Sequence, residues 1–89
     1  MQRRIEMTEH ARGEALRRQV SEDTVLAVAR DPEQRLEARS GREIRQSRIA
    51  DPASGKLYLI RVVVELVEAG ETIVTVYRTS RIRRYWRDA

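Results

Sequence analysis

Apolar and polar residues alternate along this chain with two different periods. Up to about residue 31 the apolar positions recur at helical spacing, and from residue 34 onward they recur at every second position. Thr8-Glu9-His10-Ala11 opens the first predicted helix, with Thr8 placed to cap free amides and Met7 placed to pack back on the first turn. That helix runs to about Arg18. Ala11, Ala15 and Leu16 form its apolar stripe, and Arg17 and Arg18 sit at the negative end of its dipole. Gly13 weakens it by about 1 kcal/mol relative to alanine. Ser21 caps a second helix, Glu22 and Asp23 occupy its first turn, and Val25, Leu26, Val28 and Ala29 make its buried side. Asp31-Pro32 ends it, because a residue before proline is pushed out of helical geometry.

Four strands follow. Arg35 to Arg39 is short and weak, and Ser40-Gly41 is a tight turn into Arg42 to Ala50. The turn formers Asp51-Pro52-Ala53-Ser54-Gly55 lead to a long central strand, Leu57 to Val67. Glu68-Ala69-Gly70-Glu71 turns the chain into the last strand, Thr72 to Thr79. Short connections make these antiparallel neighbours. Residues 80–87 are arginine-rich and form either a short basic helix capped by Ser80 or an extended arm. The expectation is therefore one α+β domain over residues 1–89: two N-terminal helices packed on one face of a four-stranded antiparallel sheet, with a short basic C-terminal tail.

Strand parity separates core from surface. Tyr58, Ile60, Val62, Val64 and Leu66 share one almost wholly apolar face, which the helices should cover, and Val74 and Val76 join it. The opposite face carries Leu57, Leu59, Arg61, Val63 and Glu65, together with Ile73, Thr75, Tyr77 and Thr79. Arg61, Thr75 and Tyr77 then meet on the open side of the sheet. Ile44 and Ile49 have opposite parity, which points to a bulge in their strand and leaves Arg45 and Arg48 unassigned to a face.

Length and charge narrow the picture. A chain of 89 residues is one domain with a thin core, burying about 60–65% of its unfolded surface. It has no cysteine, which excludes a disulfide, a thiolate metal site and a thiol nucleophile, and which suits a reducing cytosol. The opening, Met1 to Glu6, has no apolar stretch of signal length, and the longest apolar run, Leu57 to Val67, is interrupted by Arg61 and Glu65. One histidine among scattered carboxylates has no metal-ligand spacing, so neither metal nor cofactor is expected. The net charge is +4, carried by seventeen arginines and a single lysine, Lys56. Arginine pairs bidentately with phosphate and stacks on bases, so the composition points to RNA as partner, with no membrane involved. Arginine also replaces lysine in GC-rich genomes, and fourteen acidic residues offer internal partners. Arg61, Thr75 and Tyr77 are residue types that hold phosphate and stack on a base, while Thr and Tyr are also ordinary strand formers. His10, with an ordinary pKa suited to proton transfer at neutral pH, is the candidate acid or base.

Thr8-Glu9-His10-Ala11, followed by Arg18 and Val20-Ser21, resembles the opening of the 4258 family of domains of unknown function. Asp31-Pro32-Glu33-Gln34-Arg35 is similar to that family's turn into the sheet, and Lys56 to Val64 to its central strand. Ile73 to Ile82 with Tyr85-Trp86 resembles its closing motif, so the likeness covers nearly the whole chain. Glu14 and Arg81 depart from it, standing where the pattern has a basic residue and a lysine. The family looks like a branch of the barnase–EndoU–colicin–RelE ribonucleases, many of them cytoplasmic toxins held by an antitoxin. The resemblance implies a RelE-like domain that cuts RNA without metal, by 2′-hydroxyl attack giving a 2′,3′-cyclic phosphate. It implies catalytic roles for His10, Tyr77, Arg61 and Thr75, RNA-binding roles for Arg18, Arg45, Arg48, Arg78, Thr79 and Arg81, and an acidic antitoxin as a further partner. The alternatives are a non-catalytic RNA-binding module and a protein-interaction domain that docks through Tyr85 and Trp86. Those two aromatics can equally close the end of the small core.

Overall fold

The computed structural model describes residues 4–88; residues 1–3, part of the opening read above, lie outside the described residues. The first element is a strand that the pattern did not announce, β1 (Ile5–Met7). It is followed by α1 (Glu9–Arg17), α2 (Glu22–Arg30), β2 (Gln34–Glu37), β3 (Arg42–Ala50), β4 (Leu57–Val67), β5 (Gly70–Thr79) and a single-turn helix α3 (Ile82–Tyr85). The class is α+β, but the sheet has five strands in the order β1-β5-β4-β3-β2, with β1 parallel to β5 and every other pair antiparallel. No helix among the described residues is long and apolar enough to cross a membrane.

Both long helices start where their caps stand. The Thr8 hydroxyl accepts from the Ala11 amide at 3.0 Å, and the Ser21 hydroxyl from the Thr24 amide at 3.1 Å. α1 closes through Gln19 in the left-handed region, with the Val20 amide donating to the Ala15 carbonyl and the Gln19 amide to the Leu16 carbonyl. Ala11 and Ala15 are buried, but Leu16 is exposed, which corrects its assignment to the apolar stripe. At 100° per residue it lies well off the face shared by positions 11 and 15. The tail helix has Arg81 at its N-terminal boundary and no side-chain cap, so Ser80 does not cap it.

Ser40 and Gly41 have φ of 58° and 71°, the pair of positive angles that a two-residue hairpin turn needs. The β3–β4 register then runs without interruption from Arg42↔Glu65 to Ala50↔Leu57, so β3 has no bulge. Ile44 and Ile49 simply face opposite ways. The irregularity is in β5, where Val63↔Thr75 is followed by Val64↔Ile73 and Val74 is left over. Parity flips there. Ile73, read as surface, is fully buried beside Val76, whereas Val74, read as core, is half-buried. Ile60, Val62 and Val64 complete the sheet's contribution to the core, with Ala11, Ala15, Val20, Val25, Val28 and Ala29 above them. Leu66, assigned to the same face, lies beyond the helices and is exposed.

β1 fills the edge beside the bulge. The Glu71 amide donates to the Arg4 carbonyl at 2.8 Å, and the Thr8 amide to the Ile73 carbonyl at 3.0 Å. A Cβ on Gly70 would stand 2.3 Å from the Arg4 carbonyl oxygen, so only glycine admits this approach. The same turn brings Glu71 against Arg45. Arg45 is 2% exposed and lies under the helices, donating to both Glu71 carboxylate oxygens (2.8 and 2.7 Å), to Glu43 (2.6 Å) and to the Ala29 carbonyl (2.6 Å). These partners raise its pKa further, against the cost of burial. Removing one side of a buried pair strands the other, so Arg45→Ala is expected to cost about 3–5 kcal/mol in urea-denaturation experiments. A loss below about 1 kcal/mol would mean that the pair is solvated.

Candidate nucleic-acid interface

The face of the sheet away from α1 and α2 is assembled by register. Arg61 in β4 stands between Gln46 of β3 and Tyr77 of β5, and Thr75 is the next same-face residue of β5, opposite Val63. The predicted group of Arg61, Thr75 and Tyr77 therefore does share one face. Ile44, Gln46 and Arg48 face the same way, while Arg45 faces the helices. Arg45 is thus removed from any surface a polyanion could touch, and its role is structural.

The tail folds back over this face. Gln46, fully buried, donates to the Tyr85 carbonyl at 3.1 Å and to the Gln34 side-chain oxygen at 2.8 Å. The Gln34 carboxamide grips the Arg87 backbone twice, donating to its carbonyl at 2.6 Å and accepting from its amide at 3.1 Å. Leu59 points to this side and is nonetheless fully buried. Tyr85 and Trp86 therefore lie on the open face, on the opposite side of the sheet from the helix-covered core whose end they were expected to close. Gln34, Gln46 and Tyr85 were not anticipated as part of this face. The signal for Gln46 is the loop of turn formers at residues 51–55: an uninterrupted β3–β4 register from Ala50↔Leu57 places it directly beside Arg61.

Arg61 is the unusual member. Its Nε donates to the Gln46 side-chain oxygen at 2.9 Å, and its guanidinium lies 4.2 Å from the centre of the Tyr85 ring. No carboxylate pairs with it among the described residues. Burial pushes its pKa down, opposed by the neighbouring Tyr85 and Tyr77 hydroxyls. Arginine is still charged at neutral pH, so this is a half-buried cation without a counter-ion. Tyr77 meets Tyr85 in a T-shaped contact at 6.0 Å, and the Arg18 guanidinium lies 4.5 Å from the centre of the Tyr77 ring.

Apart from Arg30 and Arg39, which carry no salt bridge among the described residues, the remaining arginines fall into two groups. Arg4, Arg12, Arg17, Arg18, Arg35, Arg42, Arg45 and Arg48 each pair with a glutamate. Arg78, Arg81, Arg83, Arg84 and Arg87 carry no salt bridge among the described residues, and all five flank or form the tail. Arg78 stacks on Tyr58 at 3.9 Å. Thr79 uses its hydroxyl to accept from the Arg81 amide at 3.0 Å. Arg48 stacks on Trp86 at 4.0 Å and is held by Glu33 at 3.0 Å. His10 is exposed in the first turn of α1, with no hydrogen bond or ion pair among the described residues. The structure does not bring it into contact with Arg61 or Tyr77. It does lie on the helical stripe 10-14-18 that ends in Arg18, the residue over Tyr77.

Comparison of the chain with family models, with curated proteins and with solved structures gave no match.

Glu33 provides a direct test of how the tail is anchored. Hydrogen bonds from the Arg48 side chain and amide hold its carboxyl below the ordinary glutamate range, and burial opposes them weakly. A depressed carboxylate contributes stability above its unfolded pKa and loses it as pH falls through the folded one. In Arg48→Gln the Glu33 carboxyl is expected to titrate closer to an ordinary glutamate by NMR, with a change in Trp86 fluorescence because the guanidinium leaves the indole.

Proposed function

We propose that this chain binds single-stranded RNA on the arginine- and tyrosine-bearing face of its sheet. The observation that carries the reading is Arg61, a half-buried guanidinium with two aromatic neighbours and no carboxylate. Keeping a cation partly out of water costs stability unless something compensates it, and a phosphate supplies both the charge and the planar oxygens that a guanidinium fits. Tyr77 beside it is an exposed ring against which a base can stack without regard to sequence. The unpaired arginines from Arg78 to Arg87 supply the surrounding field. Single-stranded RNA suits the site better than a duplex, because stacking on Tyr77 requires a base free of its own neighbours.

A second reading, that the bound strand is also cut, is favoured by one placement. His10 shares a helical stripe with Arg18, which lies on Tyr77. Together with the resemblance to the 4258 family, this supports a metal-independent endoribonuclease of RelE-like kind. In it a 2′-hydroxyl attacks the adjacent phosphate, Arg61 neutralises the developing charge, Thr75 holds a phosphate oxygen, and His10 and Tyr77 move protons. Such an enzyme would act in the cytosol as a toxin restrained by an acidic antitoxin.

Two measurements separate these readings. In fluorescence-anisotropy titrations with a short single-stranded RNA, Arg61→Gln is expected to weaken binding by roughly tenfold or more, and added salt to weaken the wild type steeply. Unchanged affinity in Arg61→Gln would remove this face from RNA binding. Incubation of total RNA with the protein and EDTA tests cleavage. Products ending in 2′,3′-cyclic phosphate, reduced by roughly a hundredfold or more in Tyr77→Phe or His10→Ala, would establish the enzyme. RNA that is bound but stays intact in isolation and on ribosomes would leave the binding module.

A further inference from the structure

A second cationic site lies around the edge of the sheet from Arg61. Arg17, Arg18 and Gln19 from the end of α1, Tyr58 at the start of β4, and Arg78, Thr79 and Ser80 at the end of β5 line a groove of about 450 Å³. Three guanidiniums and three hydroxyl-bearing residues, Tyr58, Thr79 and Ser80, therefore surround one space, and no carboxylate lines it. Arg78 is pre-positioned: its plane rests 3.9 Å from the Tyr58 ring, and Nη1 donates to the Arg18 carbonyl at 3.1 Å. Its Nε and Nη2 groups remain for another acceptor. Arg18 Nε is buried without an acceptor, so the second guanidinium is also incompletely satisfied. Glu14 pairs with Arg17 and Arg18 from within α1, whereas Arg78 has no carboxylate at salt-bridge distance among the described residues.

The surroundings of the groove suggest which anion it takes. At one side Arg18 passes over Tyr77, which connects the groove to the open face. At the other side, beyond Tyr58 and Arg78, the space narrows to a groove of about 180 Å³ walled by Val20, Ile49, Ile60 and Pro52, where Asp51 also stands. The Asp51 carboxyl is held below its ordinary range by hydrogen bonds from Ser54, helped by the charge of Arg78. A strand continuing in that direction would drive its next phosphate onto a carboxylate. A strand that stops in the arginine groove would not. A terminal phosphate monoester also carries about −1.5 to −2 charges and three free oxygens, against one charge and two free oxygens for an internal diester.

We infer that the groove of Arg18, Arg78, Thr79 and Ser80 binds the terminal phosphate of an RNA strand whose neighbouring base lies against Tyr77. The assignment rests on the RNA reading of the open face, but the groove is testable without it. Inorganic phosphate titrated into the labelled protein should shift the backbone amides of Gln19, Thr79 and Ser80, and those shifts should vanish in Arg78→Gln. With oligoribonucleotides of one sequence, a 5′- or a 3′-phosphate should bind roughly tenfold more tightly than the hydroxyl-ended strand. Arg78→Gln and Arg78→Lys should both erase that increment, since lysine keeps the charge but not the fork, and should weaken binding of the hydroxyl-ended strand by a smaller factor than that of the phosphorylated one. Groove amides unmoved by phosphate would overturn the site. Equal affinity for phosphorylated and hydroxyl-ended strands would overturn its role at a strand end. Phosphate binding with no affinity for any oligoribonucleotide would leave the groove a phosphate site and count against the RNA reading alone.

Discussion

The leftover residue at Val74 governs what each face of the sheet carries. Without it, Tyr77, Thr75, Ile73 and Glu71 would all point the same way. With it, Tyr77 and Thr75 stay on the open face, while Ile73 and Glu71 turn toward the helices. Ile73 then contributes the full burial of a large aliphatic side chain, about 1.5–3 kcal/mol. Glu71 reaches Arg45, which would otherwise be a charge enclosed beneath α2 with Glu43 as its sole carboxylate. One interrupted position in the β4–β5 ladder is a small cost against both. β1 depends on the same geometry, because Glu71 and Ile73 are the residues whose backbone groups it bonds.

Net charge is a poor guide to where this molecule can attract an anion. Half of the described arginines are already paired with the chain's own glutamates, and Arg45 lies wholly inside the fold. Exposed pairs of this kind are worth at most about 1 kcal/mol each, but they neutralise the local field whatever they contribute to stability. What remains is uneven. Acidic residues are dense in the first half of the chain and thin out after Glu71, where Asp88 is the sole acid. The closing segment brings its unpaired arginines to the face that also holds Arg61. The local excess at this end of the sheet exceeds what a total of +4 suggests.

Much of this was readable from the chain itself. Caps at Thr8 and Ser21, the break at Pro32 and the turn at Ser40-Gly41 are local signals, and each works locally in the fold. Both long hairpin strands, 42–50 and 57–67, fall where alternation puts them. What alternation could not show is anything decided by a distant partner. Ile5–Met7 is too short to carry a period and becomes a strand only because β5 offers it an edge. The bulge was sought in β3 because of Ile44 and Ile49, whereas the demand for it came from Ile73, Glu71 and their partners across the sheet. Arg45 looks like any other strand arginine until Glu71 and the Ala29 carbonyl, from two other elements, are placed around it.

The residue beside Arg61 shows what kind of site the open face is. A carboxylate at position 46 would pair with the guanidinium and stabilise the fold on its own. Gln46 instead offers one neutral oxygen and uses its amide to hold Gln34 and the Tyr85 carbonyl. The side chain of Arg61 is fixed, but its charge is left uncompensated. The aromatic contacts act in the same direction, since a ring face attracts a cation without cancelling it. Fixing a guanidinium while withholding its counter-ion lowers the ordering cost of binding an anion and leaves the electrostatic gain for that moment. A purely structural arginine is arranged the other way, and Arg45, one residue along the neighbouring strand from Arg61's partner Gln46, has its carboxylates in place.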